Sequence, residues 1–128
     1  AENVALPLSV SGQPVDMEAL RDLLGWVGLT HHARAMPPSL SGGERQRAAL
    51  ARAVILSPDL VLADEPTGNL DWDMSVRLMQ LLIELNKSGK TVLVATHDMN
   101  LIRAAKAQVA ARVLRIANGT LHLAGADL

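Results

Sequence analysis

An α/β fold preceded by a helical segment follows from three patterns in the sequence. Two short continuous apolar runs, residues 60–63 (LVLA) and 91–95 (TVLVA), read as parallel strands buried on both faces. Each run is followed by a stretch with helical spacing, so that strands and helices alternate. An Asn-Gly pair, Asn118-Gly119, lies between two alternating runs, 112–116 and 120–123, and predicts a terminal hairpin. On these patterns the chain divides into a helical part, 1–57, and a strand-bearing part, 58–128.

Taken in order, residues 1–12 (AENVALPLSVSG) read as a partial helix broken at Pro7 and a turn at Ser11-Gly12. Between Val15 and Val27, Met17, Leu20, Leu23, Leu24 and Val27 recur at three- and four-residue spacing, which predicts an amphipathic helix stopped near Gly25 to Gly28. Trp26 and Met17 read as packing residues rather than ligand contacts. Residues 30–39 (THHARAMPPS) form a loop that Pro37-Pro38 makes extended, with His31 and His32 solvated, since no third ligand accompanies them. The next helix opens on Ser41-Gly42-Gly43-Glu44, a capping-box pattern, has an alanine-rich body, and ends at Ser57-Pro58. Asp71 caps a helix over 72–88 with Val76, Met79, Leu82 and Ile83 on one face, and Gly89 ends it. Asp98 caps a further helix that runs to about Ala107.

Composition narrows the function. A length of 128 residues supports one domain with a real core, and a formal net charge of -1 without a basic cluster argues against nucleic-acid binding. The absence of cysteine excludes disulfides and thiolate metal sites. No apolar run reaches membrane-spanning length, and the opening residues lack the character of a signal peptide, which reads as cytosolic. The start at Ala1-Glu2-Asn3 without Met, together with the lack of Tyr and Phe, reads as a fragment of a longer chain.

The chemistry concentrates between residues 40 and 71. Ser41-Gly42-Gly43 at a helix start offers unpaired amides and the positive end of a helix dipole, with no Cβ to keep a phosphate away; Glu44 competes with that anion unless its side chain turns back to the cap. Asp64 and Glu65 stand at the carboxyl end of a strand, where α/β sheets collect ligands. One carboxylate there can hold a magnesium shell while the other polarises water. His97, at the end of the next strand, shares that rim and can hydrogen-bond a terminal phosphate or an attacking water. Each element has a plainer alternative: a capped helix, an acidic turn, a structural histidine. Gly89-Lys90-Thr91 imitates the end of a phosphate loop, yet Glu84 occupies the first-glycine position and the segment opens a strand instead of a helix, so it is rejected.

Together these residues resemble the ABC-type ATPases. Residues 40–46 (LSGGERQ) are similar to the family's signature motif, 60–66 (LVLADEP) to its Walker B strand with the following glutamate, Asn69-Leu70-Asp71 to its D-loop, and His97 to its switch histidine. The wording TGNLD, with ENVALPL before it and ATHDMNLI after it, resembles most the family's cell-division members; the lipoprotein-release and macrolide-export members share TGNLD. The resemblance implies a partial P-loop NTPase-type ABC ATPase domain: a helical subdomain, then parallel strands and a hairpin. It implies ATP and Mg2+ as ligands, with Ser41, Gly42 and Gly43 gripping the terminal phosphate of ATP held by a second ATPase subunit. Gln46 and Asp71 belong to the nucleotide-binding set, Asp71 at the dimer interface. Asp64 supports magnesium, Glu65 acts as general base and His97 contacts the terminal phosphate. An integral membrane subunit is the implied partner, at the inner face of the cell membrane. The family's phosphate loop is missing from these 128 residues, so the chain alone is expected to be inactive and not to bind ATP tightly. The competing readings are a soluble ABC ATPase of DNA repair or translation, disfavoured by the absence of coiled coil and basic surface, and a non-catalytic remnant.

Overall fold

In the computed structural model, which describes residues 1–124, helices come first and the sheet is built behind them. Helix α1 (Glu2–Val10) runs straight through Pro7, against the expected break. A proline removes one helical hydrogen bond, and that loss is offset by burial of Val4, Ala5 and Leu8, with α1 packed on α3. Helix α2 (Met17–Trp26) starts later than Val15 because Asp16 is the cap, its carboxylate accepting from the Glu18 and Ala19 amides. Its Trp26 Nε1 donates to Glu84 Oε2 at 2.7 Å and ties α2 to the fourth helix.

The 30–39 connection contains two single 3₁₀ turns, Thr30–His32 and Pro37–Ser39. Pro37-Pro38 therefore does not hold it extended, since the fixed proline φ also suits the start of a tight turn. Helix α3 (Gly42–Val54) is followed by β1 (Leu60–Asp64), α4 (Trp72–Lys87), β2 (Thr91–Ala95) and α5 (Met99–Lys106). The predicted caps Asp71 and Asp98 accept from the Met74 and Leu101 amides. Strands β1 and β2 pair in parallel, Leu60 opposite Thr91 through Asp64 opposite Ala95, with α4 as the crossover. Strands β3 (Leu114–Ala117) and β4 (Thr120–Leu123) form the expected antiparallel hairpin. Asn118 and Gly119, at φ 52° and 74°, give the doubly left-handed turn that an Asn-Gly pair favours.

The core is one cluster from all five helices and β1's neighbours: Val27 and Leu101 are fully buried, with Leu24, Ala51, Leu78 and Leu82 around them. The strands differ from the expectation of burial on both faces. Val61 is buried and Val92 and Val94 partly so, while Leu60, Leu62 and Leu93 are more than half exposed. One side of the pair lies against helices; among the described residues nothing covers the other. No helix among them is long and apolar enough to cross a membrane.

Candidate functional site

The carboxyl ends of β1 and β2 bring Glu65 and His97 together. Glu65 leaves β1 in the left-handed region, φ 43°, a conformation that costs a non-glycine residue about 1–2 kcal/mol. Backbone bonds offset this: its N–H donates to the Ala95 carbonyl at 2.7 Å, lengthening the ladder by one rung, and its carbonyl accepts from the Gly68 N–H. The side chain is thereby aimed at the end of β2. Its Oε1 accepts the His97 backbone N–H at 3.0 Å and lies 2.7 Å from His97 Nδ1, and its Oε2 accepts from Thr96 Oγ1 at 3.2 Å. The hydrogen bond from His97 is the main cause holding the Glu65 carboxyl below the usual range; the same bond raises the His97 imidazole. Glu65 is thus a carboxylate at neutral pH. With Nδ1 turned to Glu65, Nε2 is the nitrogen left for a ligand, on a ring that is 92% exposed.

The start of α3 forms a second group. Ser41 Oγ accepts the Glu44 N–H at 3.2 Å, and Glu44 Oε1 accepts the Ser41 N–H at 2.8 Å, so both arms of the capping box are present. Glu44 does turn back to the cap. The amides of Gly42 and Gly43, at the first helical positions, have no helical acceptor. Both glycines also allow close packing: a Cβ on Gly43 would stand 3.2 Å from Met74 Cε, and one on Gly42 3.8 Å from Leu70 Cδ2. The cap and the segment 70–74 are neighbours for that reason.

The remaining expected residues take these places. Gln46 Nε2 donates to the Pro66 carbonyl at 2.8 Å and so links α3 to the segment that follows Glu65. Asp71 spends one carboxylate oxygen on the α4 cap. Asp64 ends β1 exposed, beside Glu65, with no hydrogen bond from the described residues to its carboxylate. No cluster of three or more potential metal ligands exists among the described residues. That donor set suits magnesium held by one carboxylate, phosphate oxygens and water, and does not suit an all-protein cage.

Three residues enter the site unannounced. Thr96 orients Glu65, a role with no signal beyond a hydroxyl at a strand end. His32 is not a free loop histidine: its Nε2 is 2.9 Å from Glu44 Oε2. Arg47 is buried, with Nη1 donating to the Val27 carbonyl at 3.0 Å; desolvation first, then the nearby Arg77, lowers its pKa. Arg47 lies just outside the 40–46 motif, and its burial has no signal in the sequence.

Comparison with known proteins bears on the family and the fold. The sequence profile described as ABC transporter matches residues 2–68. The chain is 50% identical to the "Cell division ATP-binding protein FtsE" of Haemophilus influenzae over 104 residues, 80% of the chain and 48% of that protein. It is 49% identical over 111 residues to the "Lipoprotein-releasing system ATP-binding protein LolD" of Colwellia psychrerythraea, 84% of the chain and 43% of that protein. The chain spans about half the length of the curated relatives it matches. Among solved structures, a putative metal-chelate type ABC transporter in an inward-facing conformation superposes with a TM-score of 0.82 at 29% identity, over 95% of the chain and 50% of that structure. A dimeric bacterial ABC transporter cassette superposes with a TM-score of 0.69 at 39% identity, over 80% and 47%.

Proposed function

The chain belongs to the ABC transporter family, and on that premise we propose that it carries the signature, Walker B and switch-histidine portion of an ATP-hydrolysing subunit. The observation that carries this reading is the Glu65, Thr96 and His97 cluster at the carboxyl ends of two parallel strands. Glu65, kept ionised, accepts the proton of an attacking water, and His97 uses Nε2 to hold the terminal phosphate of ATP. The Gly42 and Gly43 amides, with Ser41, face ATP bound by a second subunit, and Gln46 and Asp71 belong to the nucleotide-binding set, Asp71 at the interface between the two subunits. Asp64 would hold magnesium, which when bound neutralises phosphate charge. The division at residues 57 and 58 separates the helical part from this catalytic rim.

The cell-division relative supports a role in cell division; the family resemblance further implies an integral membrane partner at the cytoplasmic face of the membrane. Near-equal identity to the lipoprotein-releasing ATPase supports lipoprotein release as the second reading. Co-purification with candidate membrane subunits separates the two. In the complete ATPase that contains this chain, Glu65→Gln is expected to lower turnover by about 10²- to 10⁴-fold, the usual contribution of a general base, and to preserve nucleotide-dependent dimerisation. Unchanged turnover would remove Glu65 from this role.

A further inference from the structure

A negative charge stands one turn into the helix whose start is read as a phosphate grip. Glu44 is only three residues from the cap, and a carboxylate there repels the anion that Gly42 and Gly43 are placed to receive. Two features restrain it. Its Oε1 is fixed on the Ser41 N–H, and its Oε2 is fixed on His32 Nε2 at 2.9 Å. Its side chain is 22% exposed, so its charge is partly withdrawn from solvent and its field is less screened. Arg47, one turn on, also acts on its charge.

His32 reaches Glu44 from a rigid position. It closes a 3₁₀ turn whose preceding residue, Leu29, is buried. Its N–H donates to the Leu29 carbonyl at 2.9 Å, and its carbonyl accepts from the Ala35 N–H at 3.0 Å. A partner held in this way loses little freedom when it pairs, so the contact positions Glu44 instead of merely meeting it.

We infer that His32 is a positioning residue for nucleotide binding: through Nε2 it holds Glu44 against the Ser41 cap, leaving the Gly42 and Gly43 amides open to a phosphate. The inference rests on the reading of the α3 start as a phosphate grip and goes beyond it, because His32 lies outside every motif that defines that grip. His32 touches no nucleotide; it acts through Glu44.

A double-mutant cycle in the complete ATPase tests this, with the ATP concentration for half-maximal turnover and kcat measured for each variant. His32→Ala is expected to raise that concentration about two- to five-fold, the worth of a charge at a helix start, with kcat unchanged. In a Glu44→Gln background, where the glutamine keeps the capping box without the charge, His32→Ala is expected to change nothing. His32→Gln, which keeps an N–H donor for the Glu44 carboxylate, should recover part of that loss. A purely structural role for His32 predicts the same loss in both backgrounds, and that result, or no loss in either, overturns the inference. Gly42→Asp serves as the control for the underlying reading, since its backbone tolerates a side chain and its carboxylate would occupy the grip. If Gly42→Asp leaves ATP dependence intact, the grip itself is misassigned; if it abolishes activity while His32→Ala is silent, only the role of His32 fails.

Discussion

The helical layer and the β1–β2 pair both carry large apolar side chains and place them in different environments. Leu101, Val27, Leu24 and Leu82 are wholly or almost wholly buried among helices, whereas Leu60, Leu62 and Leu93 keep half or more of their surface exposed. The difference separates two uses of apolar residues. The helices bury theirs against one another and fix where α3 and α4 begin. The strands bury one face and place their charged ends, Asp64, Glu65 and His97, on an open rim.

The largest test of that contrast is a matched pair of substitutions. Leu101→Ala leaves a cavity in the closed helical core and is expected to cost about 2–5 kcal/mol of unfolding free energy. Leu62→Ser, on the open sheet face at 68% exposure, is expected to stay within about 0.5 kcal/mol of wild type. Urea unfolding of both variants measures the gap. Equal losses would mean that the open face is covered in solution, and would break the comparison.

A smaller effect is expected at the junction of the two regions. Asp71 caps α4, whose start packs on Gly42 and Gly43, so Asp71→Ala should cost about 1 kcal/mol and lower the urea midpoint. Asp71→Asn keeps an oxygen for the Met74 amide and should recover most of that loss. Failure of the asparagine to recover it would show that the charge of Asp71, and not its capping bond, supports the segment.

These energetics explain what the sequence made legible. The caps at Ser41, Asp71 and Asp98 were readable because capping is a local rule, set by a side chain and amides two or three residues on. The Asn118-Gly119 hairpin was readable for the same reason. Pro7 misled because its local cost is outweighed by burial of Val4 and Leu8 on a helix forty residues later in the chain. The apolar runs of β1 and β2 record a preference for two covered faces, and periodicity cannot say which face is supplied. In the site, Glu65 and His97 were identifiable by type and position. Their mutual bond, and the pairing of His32 with Glu44, depend on the left-handed turn at Glu65 and on a 3₁₀ turn at residues 30–32, which spacing does not encode.

The smallest expected effect concerns Glu44, where helix stability and ligand chemistry meet. The backbone hydrogen bond from Ser41 is the largest cause lowering its pKa, with the Ser41 side chain, His32 and Arg47 adding to it and desolvation opposing. A carboxyl whose folded pKa lies below its unfolded value stabilises the fold fully at pH above the unfolded value, and that contribution fades as the pH falls through the folded value. The stability difference between wild type and Glu44→Gln should therefore be constant from neutral pH down to the ordinary carboxylate range and shrink below it. Urea unfolding of the two proteins between neutral and strongly acidic pH measures this. A difference that stayed flat throughout would mean that Glu44 contributes to the cap by shape alone, and that its charge is free to oppose a phosphate at the start of α3.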